Sequence, residues 1–169
     1  MTLDRSQDLD LSGRRQHPIY RRIGLGVLAL IALAALLNVF GQESTTTVAS
    51  GPAAVLSVES PPRLRGGLLF QTRIEVRARR AIAHPKLVLS PGWLEGMTQN
   101  TVVPTPESES SSADGLAMNF SPLPAGETLV VWIAWQVNPT TVGSHDEDVE
   151  LRDGSTPVAT VNRTVTVFP

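Results

Sequence analysis

From Ile23 to Phe40 the chain reads IGLGVLALIALAALLNVF, a run without an ionisable side chain. As a helix rising ~1.5 Å per residue it is roughly 27 Å long, close to the ~30 Å hydrocarbon core of a bilayer. An amphipathic helix of a soluble protein places a polar residue every third or fourth position. Here the first is Asn38, near the end of the run. Arg21 and Arg22 stand directly in front, and Tyr20 and Phe40 flank the run; such residues settle among headgroups. The run is expected to be a single transmembrane helix, with the lipid bilayer as its partner. It divides the chain into a disordered polar tail (1–22), the span (23–40), a short polar linker (41–51) and a domain (52–169).

Charge sets the direction. The tail carries Arg5, Arg14, Arg15, Arg21 and Arg22 against three aspartates, a balance of +2, and no Lys or Arg follows until Arg63. The positive-inside rule then puts the N-terminus in the cytoplasm and the domain outside the cell membrane. The small residues Thr47-Val48-Ala49 lie well past the apolar run, so the segment reads as a retained signal anchor rather than a cleaved signal peptide. Beyond the span, nine basic residues face thirteen acidic ones, a balance of −4. Nucleic-acid binding needs a basic footprint and is not expected. The chain has no cysteine, so disulfides, thiolate metal sites and thiol chemistry are excluded.

After the span the hydrophobic period changes to two. Residues 53–59 form a first short strand stopped by Pro61-Pro62. Between Leu69 and Arg79 the alternation is strict: Phe70, Thr72, Ile74, Val76 and Ala78 on one face, Gln71, Arg73, Glu75, Arg77 and Arg79 on the other. Such a strand has one face on a core and one in water. Further strands are expected at 86–90, 98–103, 116–120, 128–138, 146–152 and 158–168, and residues 104–115 (PTPESESSSADG) read as a long exposed loop. About eight short strands with Gly/Pro turns and no helical period predict an antiparallel β-sandwich.

The turn Leu123-Pro-Ala-Gly-Glu-Thr128, followed by a hydrophobic strand, a polar strand, a Gly turn and a closing Val/Thr strand, resembles the second half of bacterial immunoglobulin-like modules. The whole chain also resembles small single-pass membrane proteins of actinobacteria whose function is unassigned. These resemblances imply an immunoglobulin-like fold and an extracytoplasmic location, and no activity.

Residues 129–137 read LVVWIAWQV. Leu129, Val131, Ile133, Trp135 and Val137 share one strand face, and Val130, Trp132, Ala134 and Gln136 the other. Both are largely apolar, so the outer face needs a cover. An Arg from a neighbouring strand stacked on the outward Trp132 is one solution. A partner docked on it is the other, since aromatic anchors ringed by polar groups typify interfaces. Arg73, Arg77 and Arg79, with Arg63, Arg65 and Arg80, form a basic surface. It is either a charged guard of the sheet or a contact for headgroups or an acidic protein patch.

The stretch from His145 to Glu150 (HDEDVE) is the remaining cluster. On one strand Asp146, Asp148 and Glu150 would share a face beside His145, but calcium requires converging oxygens from a turning loop. Ser144-His145-Asp146 has the letters of a triad, yet neighbours on a strand point apart. No cofactor motif occurs. The expected function is a membrane-anchored extracytoplasmic interaction or accessory module without catalytic activity, binding another membrane or envelope protein. The alternative is a ligand-binding, metal-binding or hydrolytic domain using the segment from His145 to Glu150.

Overall fold

The computed structural model describes residues 17–37 and 43–169. The polar tail before His17 and the end of the apolar run, including Asn38 and Phe40, lie outside the described residues. The chain forms two compact units, Met1–Gly41 and Gln42–Pro169.

The first unit is built on one helix, α1 (His17–Leu36). Leu and Ala, strong helix formers, fill it. It starts six residues before the expected span and takes Tyr20, Arg21 and Arg22 into its first turns. Nothing in such a helix, once begun, stops it at the polarity boundary. The segment Ile19–Leu36 is long and apolar enough to cross a membrane, and none of it is buried against protein.

In the second unit thirteen strands are found among the described residues: β1 (Thr45–Ser50), β2 (Ala54–Ser60), β3 (Arg63–Arg65), β4 (Leu69–Ala78), β5 (Pro85–Leu89), β6 (Met97–Val103), β7 (Ser108–Ser112), β8 (Gly115–Asn119), β9 (Thr128–Val137), β10 (Gly143–Asp146), β11 (Val149–Asp153), β12 (Thr156–Val161) and β13 (Thr164–Phe168). One sheet has the order β1-β2-β4-β9-β6 and the other β12-β11-β5-β8-β7, and a small sheet β10-β13-β3 joins them. All pairings are antiparallel except β13 with β3. The fold is therefore the expected antiparallel β-sandwich preceded by one apolar helix.

The core is what the period of two dictates. Phe70, Ile74, Val76 and Ala78 of β4 point inward with Val131, Ile133, Trp135 and Val137 of β9. They meet Leu87 and Leu89 of β5, Met118 of β8, and Val149 and Leu151 of β11. Fully burying such side chains is worth about 1.5–3 kcal/mol each. The inward Thr72 donates its hydroxyl to Ser60 Oγ at 3.2 Å, so that buried polar pair is satisfied.

Four expectations change. The linker at 41–51 contains β1, which pairs with β2 along its whole length. The loop at 104–115 contains β7, a wholly exposed edge strand paired with β8. The strand expected at 146–152 is two, because the chain leaves the small sheet after Asp146 and enters the second large sheet at Val149. The strand expected at 158–168 divides in the same way, between Val161 and Thr164.

Candidate functional site

The outer face of the first large sheet is organised by β4 and β9. Their register sets Arg73 opposite Trp132, with Glu59 of β2 beyond Arg73 and Val103 of β6 beyond Trp132. Trp135, three residues along, is fully buried, whereas Trp132 keeps 44% of its surface exposed. The guanidinium of Arg73 lies 5.7 Å from the centre of the Trp132 ring. Glu75 accepts a hydrogen bond from Arg73, and Arg77 Nη2 is 3.5 Å from the same carboxylate. A cation–π contact at such a site is worth about 0.5–1 kcal/mol, and exposed ion pairs about 0–1 kcal/mol. The arrangement therefore holds the arginine over the ring without closing the surface. Beside it opens a cleft of about 340 Å³ lined by Ser44, Glu59, Leu69, Gln71, Arg73 and Trp132.

The arginines read together from the sequence do not form one patch. Arg73 and Arg77 share Glu75. Arg79 lies past the end of β4 and donates to the carbonyl of Gly51 at the far end of the sheet. Only Arg73 and Trp132 of the expected set meet.

The acidic segment is also dispersed. His145 and Asp146 belong to β10, Glu150 to β11, and Glu147 and Asp148 to the crossing between them. Asp146 accepts from the Thr164 hydroxyl, and Asp148 Oδ1 accepts the backbone N–H of Arg163. Glu150 accepts from Arg152, and His145 Nδ1 lies 3.7 Å from Glu95. Asp148 and Glu150 do line one cleft of about 460 Å³, with Asp114, Arg152 and Thr160. The expectation that Asp146, Asp148 and Glu150 share a strand face fails because the strand is broken at Glu147. Among the described residues no three His, Asp or Glu side chains are grouped to hold a metal ion.

The group that sequence reasoning missed is inside. Glu147, read as one member of a solvated acidic run, is fully buried. Its carboxylate lies 3.9 Å from Arg163 Nη1 and makes no hydrogen bond. Arg163 donates instead to the carbonyls of Ser60 and Pro61 at 3.2 and 3.4 Å. Its guanidinium sits 5.7 Å from the centre of the Trp93 ring, which stacks on Trp135 at 5.2 Å. Trp93 Nε1 donates to the Asp148 carbonyl. Gly92 makes this packing possible, since a Cβ there would lie 2.1 Å from the Asp146 carbonyl oxygen. Burial pushes the Glu147 carboxyl up to about 8 against the pull of Arg163, and burial lowers Arg163 against the pull of Glu147. The available signal was a single Arg inside the Val/Thr-rich closing run.

No family model matches the chain, and no curated protein is similar to it. The resemblance to small actinobacterial membrane proteins thus stands on the sequence alone. Among solved structures, the chain is similar to a non-cellulosomal cohesin from the archaeon Archaeoglobus fulgidus, at 14% identity over 75% of this chain and 92% of that one, with a TM-score of 0.44. It is similar to the cohesin CaCohA2 from Clostridium acetobutylicum at 14% identity over 66% and 88%, with a TM-score of 0.45. It is also similar to the CARDB domain of PF1109 from Pyrococcus furiosus at 15% identity over 75% and 96%, with a TM-score of 0.41. These are distant likenesses and assign no ligand.

Proposed function

We propose that this chain is a membrane-anchored interaction module. In this reading α1 spans the membrane with its N-terminus in the cytoplasm, and the sandwich outside receives a membrane or envelope protein on the Trp132–Arg73 face, without catalysis. One observation carries it: a tryptophan with 44% of its surface exposed stands mid-sheet beside an open cleft. Interfaces place aromatic and arginine anchors in such positions. In the acidic segment Asp148 accepts the backbone N–H of Arg163 and Glu150 pairs with the Arg152 guanidinium.

The test places a photo-crosslinking side chain at Gln71, next to Trp132 in the cleft, and at Ser155 as a remote control, in cells carrying the full chain. One discrete adduct from position 71, absent from position 155 and abolished by Trp132→Ser, supports the module. Equal labelling from both positions, or an adduct indifferent to Trp132→Ser, overturns it. Protease added to spheroplasts should remove the sandwich and spare the tail; a protected sandwich would reverse the orientation.

A further inference from the structure

Apart from Val48, Val103 and Trp132 on the outer face of the first large sheet, the large apolar side chains left exposed on the sandwich are gathered together. Leu68, Leu69, Leu94, Val142 and Phe168 are all exposed, and all lie at one end. Backbone bonds tie that end together: Gly67 N–H donates to the Val137 carbonyl, Gly66 N–H to Phe168, and Asn138 N–H to Gly96. Val142 adjoins the Gly143–Val167 pair, one step from Phe168. Gly96, with φ +74°, packs against Thr141 and brings the segment after Leu94 to the same rim. Leu69 is 65% and Val142 56% exposed. At the opposite end, the turns at 51–53, 79–84, 124–127 and 153–155 expose no large apolar side chain among the described residues.

The apolar end is also where the chain enters. Thr45, the first residue of β1, pairs with Ser60, and Ser44 lines one cleft with Leu69. Seven residues separate Leu37 from Thr45, a tether of at most roughly 25 Å when fully extended. Strand β4 has ten residues, so the far turns lie roughly 30 Å away along the sheet. Apolar patches on a surface mark contacts with protein or membrane, and the tether selects between them. Arg65, exposed and paired with Phe168, adds a cation that reaches headgroups from an apolar stem. Glu95 stands at the margin, turned to His145.

We infer that the end bearing Leu68, Leu69, Leu94, Val142 and Phe168 rests on the outer surface of the bilayer that anchors the chain, so that the Trp132 cleft opens along the membrane. This rests on the reading of α1 as a span. The absence of cysteine provides a direct experiment. Single variants Leu28→Cys, Leu69→Cys, Val142→Cys, Phe168→Cys and Ser155→Cys of the full chain are labelled with an environment-sensitive fluorophore. They are then reconstituted in vesicles of phosphatidylglycerol and phosphatidylcholine carrying spin-labelled lipid. The inference expects quenching at 28, 69, 142 and 168 and none at 155. Quenching at 28 but not at 69, 142 or 168 overturns the docking while the span stands. No quenching at 28 overturns the span and the docking with it. Labels at 69 and 168 that are shielded from aqueous iodide yet unquenched by lipid would assign the end to a second copy of the chain, which also overturns the inference.

Discussion

The sandwich contains the same three-residue assembly twice, in opposite surroundings. On the outer face, Arg73 lies over Trp132 with Glu75 as its partner. In the interior, Arg163 lies over Trp93 with Glu147 as its partner, and both guanidiniums stand 5.7 Å from their rings. Outside, every member keeps part of its surface exposed, and the pairing contributes little. Inside, taking an ion from water costs several kcal/mol even after relaxation, and the carboxyl answers by holding its proton. The difference teaches that one set of side chains makes an adaptable surface when wet and a proton-linked clasp when dry. The clasp lies where the chain switches sheets twice: Glu147 N–H donates to the Arg163 carbonyl and Arg163 N–H to Asp148.

The largest expected effect that would break this comparison is on pH. The folded-state pKa of Glu147 is raised from 4.5 to about 8. Below pH 4.5 the carboxyl is protonated in both folded and unfolded chains, and its contribution to stability is fully present. Between 4.5 and about 8 only the unfolded chain ionises, so stability falls as pH rises. The slope is about 1.4 kcal/mol per pH unit, accumulating to roughly 5 kcal/mol. Urea unfolding at intervals across this range should show the slope in the wild type and lose it in Glu147→Gln, while Glu75→Gln leaves it in place. Parallel curves for wild type and Glu147→Gln would mean the interior carboxyl is not shifted.

Next in size is the removal of each arginine. Arg163→Ala strips donors from the Ser60 and Pro61 carbonyls and the partner from Glu147. A loss of about 1–3 kcal/mol is expected for each carbonyl left without its donor. Arg73→Ala should cost no more than about 1 kcal/mol, and less at high salt. Denaturation at low and high ionic strength separates the two; equal costs would erase the contrast between inside and outside.

The smallest expected effect is on Trp132. Trp132→Ser should move stability by less than about 1 kcal/mol, the worth of its cation–π contact, while abolishing the crosslink from position 71. If the thermal midpoint falls by many degrees, the outer tryptophan belongs to the core and the surface reading fails.

Much of the fold was legible because strand periodicity is local. The alternation in β4 and the two apolar faces of β9 follow from residues two apart, and so does the outward placement of Trp132 with Trp135 inside. The stacked Arg73 was legible as a type of contact, since only an arginine on the adjacent strand could reach the ring. The missed strands carry no such signal. β7, SESSS, is exposed at every position and is held by backbone pairing to β8. β1, TTTVAS, reads as a polar linker by composition, although its β-branched residues favour a strand and Ala49 packs toward the core.

The sequence by itself determined the apolar helix, the charge asymmetry around it, the antiparallel sandwich and the tryptophan left on its surface. Each is a property of near neighbours or of counts along the chain. Only the tertiary structure decided that Glu147 and Arg163 are interior while their neighbours Asp146 and Asn162 are exposed. It alone also gathered five apolar side chains from the start of β4 and the turn before it, the loops before β6 and β10, and the end of β13 at the point where the chain enters. Whether a charge is dry depends on what distant segments pack over it. No local period encodes the meeting of residues 16 apart at a double crossing between sheets.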